Sequence, residues 1–220
     1  MKTLGIFVPA RLQSERLPNK MIKPLGDTCL FEIACRKLEE INQYYPAYVL
    51  IYEQELIDIA SKYNVHIIKR SRESAILDDP ILTTMGDIKE AKEDYLMFLN
   101  PCLPFLSTDA ILRSLSAFQM CSGKTATSVI PFHNWVFDRA GNDLLPIDYS
   151  SLNTKAIYGL CTAAHCFHIF NKNDFLKTGK MLEKGHDVIE VPSDMVIDVD
   201  TPEDFEYVEY LWNKRGGKYE

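Results

Sequence analysis

The stretch that most limits the possible folds lies near the N-terminus. Leu4-Gly5-Ile6-Phe7-Val8 is a short, continuous apolar run, the pattern of a strand buried on both faces. The segment from Pro9 to Gly26 breaks that run and carries Arg11, Arg16, Lys20 and Lys23 against one acid, Glu15. A helical pattern begins at Cys29, with Leu30, Phe31, Ile33, Ala34, Leu38 and Ile41 recurring at helical spacing to about Asn42. A strand that hands a cation-bearing loop to a helix is a usual way to hold phosphate, because exposed N–H groups and the positive helix end favour anions.

The same rhythm continues. Tyr48–Tyr52 reads as a strand, Glu55–Tyr63 as a helix through Leu56, Ile59 and Ala60, and Val65–Ile68 as a third strand. A charged stretch from Lys69 to Pro80 leads to a predicted helix over Pro80–Lys92, with Ile81, Met85 and Ile88 inward. Tyr95–Leu99 is apolar enough for a central strand. Ser107 is a good N-cap for a helix over Thr108–Met120, and Thr125–Ile130 is a further strand. Such alternation predicts an α/β fold, a Rossmann-like doubly wound, mostly parallel sheet with helices on both faces. Ligands of such sheets bind outside the carboxyl ends of the strands, where the first loop lies.

The rhythm breaks after Pro131. Two apolar segments, Trp135–Arg139 and Leu144–Ile147, flank Ala140-Gly141-Asn142-Asp143, which predicts a hairpin within an inserted arm at about 132–152. It reads either as an ordinary surface hairpin or as a subunit contact built on exposed aromatics. Asn171–Thr178 predicts a short helix, Asp187–Val191 a late strand, and Tyr207, Val208, Leu211 and Trp212 the packed face of a last helix with a frayed tail from Arg215.

The chain has 220 residues, which suits one domain carrying that arm. Its net charge of −7 argues against a nucleic-acid partner. A phosphate ligand still fits, since a basic loop can sit on an acidic protein. The six cysteines form no C-x-x-C pair and read as reduced core residues. No stretch is long and apolar enough to be a signal region or a membrane span, so a cytoplasmic enzyme is the simplest expectation.

A second chemical signal lies near the C-terminus, at Val196-Ile197-Asp198-Val199-Asp200-Thr201-Pro202-Glu203-Asp204-Phe205. In a strand, Asp198 and Asp200 point to one side. Two carboxylates on one side repel and need a cation, and hard oxygen ligands suit Mg²⁺ shared with substrate phosphates. Thr201 and Pro202 have the cap and first-residue chemistry of a helix start, so Asp200 also fits a purely capping role.

Taken together, Pro9-Ala10-Arg11, Ser14, Arg16-Leu17-Pro18 and Lys20 fit the form Pro-Ala-Arg-x-x-Ser-x-Arg-Leu-Pro-x-Lys. In this loop the chain resembles the CMP-sugar synthetases, the cytidylyltransferases that activate Kdo and sialic-type acids. The Asp198–Phe205 stretch resembles their Asp-x-Asp-Thr-Pro-Glu-Asp-Phe metal-binding element. The resemblance implies transfer of CMP from CTP to a hydroxyl of an acidic sugar, with release of pyrophosphate. It also implies Mg²⁺ on Asp198 and Asp200 and a homodimer in which an arm closes the partner's site. Arg11, Lys20 and Asp200 would be catalytic. Ala10, Arg11, Ser14, Arg16, Lys20, Arg72 and Thr83 would hold the nucleotide, with Arg70 and Thr84 as alternatives to the last two. Arg72 and Asp79 keep the family's spacing, although they also suit a helix cap.

Between these ends the chain departs from the family. Asn100-Pro101-Cys102-Leu103-Pro104 stands where the sialic-type form has Gln-Pro-Thr-Ser-Pro, so two hydroxyls are missing. Ala163-Ala164-His165 stands in the region of the sialic-type Asn-Gly-Ala. Asn100 and His165 are candidates for substrate binding, and either His165 or His168 could be a ligand, a base or a core histidine. No residue stands out as a general base. These departures keep two further expectations open: a nucleotidyltransferase with another base or acceptor, and an inactive nucleotide-binding relative.

Overall fold

The computed structural model describes residues 2–77, 80–151, 154 and 159–218. A seven-stranded sheet runs through them: β1 (Leu4–Pro9), β2 (Ala47–Ile51), β3 (His66–Lys69), β4 (Tyr95–Leu99), β5 (Ala126–Pro131), β6 (Cys161–Asn171) and β7 (Asp187–Glu190). The order is β3-β2-β1-β4-β6-β5-β7. Its pairings are parallel except at β6, which runs antiparallel to both β4 and β5. The chain winds outward from β1 to β3, then crosses back to place β4 on the other side of β1. The carboxyl ends of β1 and β4 therefore flank a topological switch point, where open sheets leave a crevice.

Strand alternation sorts the core into two layers. Leu4, Ile6 and Val8 face a large cluster with α1 (Leu30–Ile41), α2 (Gln54–Ala60), α5 (Thr108–Met120) and α7 (Pro202–Lys214). Phe7 faces the other way, with Leu50, Ile68, Leu96 and Phe170, toward Phe175 of α6 (Lys172–Thr178). Leu82 and Met85 of α4 (Ile81–Met85) also pack on that second layer, after α3 (Arg72–Ile76); each helix is about one turn.

Several predicted boundaries hold: β4 and α5 span the expected residues, and Ser107 Oγ caps α5 by accepting from Ala110 N at 3.2 Å. The predicted helix over Pro80–Lys92 is instead α4 followed, from Gly86 to Glu90, by a 3₁₀ turn. Asp87 in that turn accepts from Ser71 N at 3.2 Å, which ties the turn to the exit of β3. The charged segment before it contains α3, capped by Ser71 Oγ on Ser74 N at 3.0 Å. On α7 the buried face is Phe205, Val208 and Trp212, whereas Tyr207 is exposed. Arg215 stacks over Phe105 at 4.3 Å, so the chain remains packed there.

Residues 196–200 are not a strand. Val199 N donates to Cys102 O at 2.9 Å, pairing with the loop after β4 and not with a sheet strand. The small hairpin does form in the 132–152 region: Leu144 N donates to Val136 O at 2.9 Å, and the Asp138 carboxylate accepts from Ala140 N and Asn142 N. All six cysteines are free.

Candidate active site

The cleft at the switch point has a volume of about 480 Å³. Ala10, Arg11, Ser14, Arg16 and Lys20 from the first loop line one side, and Pro101 and Cys102 after β4 line the other. The loop is held by a backbone bond from Asn19 N to Leu12 O at 3.1 Å and by the Glu53 side chain, whose Oε1 accepts from Leu12 N at 3.0 Å. Asn19 sits at φ 57°, a left-handed turn that Asn tolerates. Leu17 and Met21 are buried and anchor the loop in the core, leaving its cations along the cleft. The start of α1 does not line the cleft. Its early N–H from Phe31 is already satisfied by Met21 O at 3.0 Å. The positive charge along the cleft therefore comes from side chains of the loop and from Arg70, and not from a helix end.

At one end of the cleft the two distant sequence signals meet. Lys20 Nζ donates to Val199 O at 2.9 Å and to Asp200 Oδ1 at 3.0 Å. Arg16 Nη2 lies 2.9 Å from the other Asp200 oxygen. Burial alone would lower the Lys20 pKa, but Cys102 and Asp200 together raise it overall. Burial pushes the Cys102 thiol up to about 11, so at neutral pH it is uncharged and Asp200 is the anion that holds the ammonium.

Asp198 sits deeper. Its Oδ2 accepts from Asn100 Nδ2 at 3.1 Å, while its buried Oδ1 has no hydrogen-bond partner among the described residues. Burial raises its pKa, and the nearby Asp200 charge adds to the effect. An orphaned, desolvated carboxylate oxygen beside a second carboxylate suits a hard cation. Among the described residues, no group of three or more His, Cys, Asp or Glu is placed to cage a metal alone. A Mg²⁺ here would rest on Asp198, Asp200 and oxygens of a bound ligand, the usual arrangement for this ion.

The bend at the start of β6 completes this edge. The β5–β6 register shifts between Thr127 and Val129, forming an irregular bulge on β6. Ser128 Oγ, fully buried, accepts from Cys166 N at 2.9 Å and Phe167 N at 3.2 Å, which satisfies amides that the ladder leaves out. His165 stands exposed on the bulge at φ 52°. Its carbonyl accepts from Asn100 Nδ2 at 3.3 Å, so Asn100 joins His165 to Asp198. His168 is a packed residue: Nδ1 is 2.9 Å from Thr127 Oγ1 and the ring stacks on Phe98 at 5.9 Å. Burial, with smaller contributions from His165 and His186, pushes its pKa down to about 4.

Two expected nucleotide residues lie elsewhere. Arg72 is exposed on α3 and Thr83 is half-buried on α4, and neither lines the cleft. Arg70 and Thr84 line it. Arg70 is buried at the exit of β3, with Nε 3.0 Å from Ser74 Oγ and Nη1 3.4 Å from Ala10 O. Burial, with help from Arg11, lowers its pKa to about 10, still a cation at neutral pH. Arg11 donates to Leu77 O at 2.8 Å. Asp79 lies outside the described residues. Apolar lining from Met85, Leu77 and Phe98 was not expected from sequence, and its only signal was proximity to strand ends.

A family model described as cytidylyltransferase matches residues 6–136, more than half of the chain and all of the first-loop side of the cleft. The chain belongs to the cytidylyltransferase family. It is thus a CTP-dependent nucleotidyltransferase, as the first-loop resemblance implied. No curated protein sequence matches the cytidylyltransferase described here. Its fold is similar to that of CMP:2-keto-3-deoxy-manno-octonic acid synthetase, solved in complex with CTP. That match has a TM-score of 0.72 at 14% identity and covers 97% of this chain and 99% of the other. It is also similar to 4-diphosphocytidyl-2C-methyl-D-erythritol synthase from Anaerococcus prevotii, with TM-score 0.65, 14% identity and coverage of 96% and 99%. A cytidylyltransferase from Leptospira borgpetersenii gives TM-score 0.64 and 18% identity, covering 97% of this chain and 88% of that one.

Proposed function

We propose that the cytidylyltransferase uses this cleft to transfer CMP from CTP to a hydroxyl of an acidic sugar, of the sialic-type or Kdo-like class, with release of pyrophosphate. The observation that carries the reading is that Arg16 and Lys20, which line the cleft with Arg11, both meet Asp200 beside it. A triphosphate would take over the cations of the first loop. Lys20 and Arg11 would neutralise the α-phosphate and the departing pyrophosphate, and Arg16 and Ser14 the outer phosphates. Arg70 and Thr84, in place of Arg72 and Thr83, would face the nucleoside. In-line attack by the acceptor hydroxyl at the α-phosphorus then depends mainly on positioning and charge neutralisation. Asp198 and Asp200 would hold Mg²⁺, which when bound supplies charge neutralisation at phosphate and acceptor oxygens. Asn100 and His165 border the side where the acceptor would lie.

The 132–152 arm, with Phe137 and Tyr149 exposed, would form the contact of a homodimer. Among the described residues no helix is long and apolar enough to cross a membrane. The proposed reaction would serve surface-polysaccharide or glycoconjugate synthesis in the cytoplasm. A second reading, a different acceptor, is favoured by one observation. Cys102 and Leu103, the latter 2% exposed, place no hydroxyl where the sugar-binding element of sialic-type enzymes has two.

Pyrophosphate release with Mg²⁺ tests both readings. CTP with a panel of Kdo, sialic-type and other acidic sugars should give CTP-specific release with one of them, and ATP, GTP and UTP should give none. Release with 2C-methyl-D-erythritol 4-phosphate and no acidic sugar would contradict the first reading in favour of the second.

A further inference from the structure

Lys37 occupies a core position of α1. The inward residues Leu30, Ile33, Ala34, Leu38 and Ile41 follow the helical period, and Lys37 falls on the same face with 3% exposure. A buried ammonium is an expensive choice where an apolar side chain would fit the pattern. Its Nζ donates to Pro104 O at 2.7 Å and to Leu103 O at 3.2 Å, two consecutive carbonyls of the loop after β4. Both acceptors are backbone carbonyls, so these two bonds fix the path of the loop.

That path leads to the carboxylates. Asn100 Oδ1 accepts from Cys102 N at 2.9 Å within the same loop, and Asn100 Nδ2 donates to Asp198 Oδ2. Cys102 O accepts from Val199 N at 2.9 Å, between the two aspartates. The loop thus holds the Asp198–Asp200 segment at two points, Asp198 Oδ2 and Val199 N, while Lys20 donates to Val199 O and Asp200 and Asp204 Oδ2 accepts from Asp200 N. We propose that Lys37 is a positioning residue, setting the spacing of the Asp198–Asp200 carboxylate pair through the Asn100–Pro104 loop. Lys37 does not line the cleft of the first loop, and nothing in the first-loop or Asp-x-Asp signals points to it. The role rests on the metal reading above.

The test is Mn²⁺ binding in the presence of CTP, followed by the loss of the free-ion electron paramagnetic resonance signal, which requires no acceptor. Lys37→Met should weaken Mn²⁺ binding at least tenfold while CTP binding without metal stays within twofold. Lys37→Arg, which keeps a buried donor, should recover most of the loss. Leu115→Ala, a fully buried α5 change of the purely structural kind, should lower thermal stability and leave Mn²⁺ affinity as in the wild type. Should Lys37→Met not fold, Lys37→Gln gives the same comparison, with an intermediate loss expected. Wild-type Mn²⁺ affinity in a folded Lys37→Met or Lys37→Gln protein would overturn the role of Lys37 and leave the metal reading intact. Absence of Mn²⁺ binding by the wild-type protein would overturn the metal reading and the role of Lys37 together.

Discussion

Asp200 answers to two kinds of partner. In this structure both of its oxygens are taken, one by Arg16 and one by Lys20. A triphosphate would compete for those same cations, and its arrival would leave Asp200 with uncompensated charge beside Asp198. Metal and nucleotide should therefore bind together more strongly than either binds alone. Arg16 is 64% exposed, so its pair with Asp200 is worth no more than about 1 kcal/mol. Arg16→Ala should accordingly strengthen Mn²⁺ binding by roughly three- to fivefold without nucleotide. With CTP present the sign should reverse, because a phosphate contact has been removed. Titration of Mn²⁺ with and without CTP checks both; equal shifts in the same direction would contradict the competition. At this scale the sequence was informative about charge and less so about direction. Lys20 and Asp200 were legible because each stands in a dense motif. Arg70 and Arg72 differ by two positions, and only the exit geometry of β3 turns Arg70 into the cleft and leaves Arg72 on the surface of α3. Lys37 was hidden because a lysine in a helix reads as solvated unless the partner loop is known.

Elements whose limits depend on their own residues were legible; those set by a neighbour were not. β4 is apolar along its length, and α5 carries its own cap. In contrast, the Asp198–Asp200 segment has the composition of a strand, but its Val199 amide is claimed by Cys102 O. The β6 bulge depends on Ser128 of β5, and no local pattern in β6 marks it. The packing of β6 has a pH consequence. His168 is neutral in the folded protein, with its pKa at about 4 against an ordinary 6.5, set mainly by burial between Phe98 and Thr127. In the window between those values the unfolded chain binds the extra proton, so stability falls as pH drops from 6.5 toward 4. The full effect is at most about 3 kcal/mol. Thermal unfolding between pH 7 and 4.5 should show a steeper decline in the wild type than in His168→Gln. Parallel curves would contradict the assignment of a buried neutral imidazole.

For the whole molecule, the crossover between β3 and β4 sets the first loop beside the loop after β4 at the carboxyl ends of two central strands, where the C-terminal aspartates join them. The alternation of strand and helix predicts this switch point, but not which distant segments fill it. Lys20 and Asp200 are 180 positions apart and meet because α7 returns across the face that α1 also covers. Met85, Leu77 and Phe98 give the cleft an apolar share that the motifs did not carry. The central claim is that one cleft combines triphosphate cations and metal carboxylates. Crystals of the protein grown with CTP and Mn²⁺, measured at an anomalous wavelength, test it most directly. The account predicts one strong Mn²⁺ peak in contact with Asp198, Asp200 and a phosphate oxygen, with Arg16 and Lys20 moved from Asp200 onto the triphosphate. Bound CTP with Asp200 still paired to both cations and the Mn²⁺ elsewhere would contradict it.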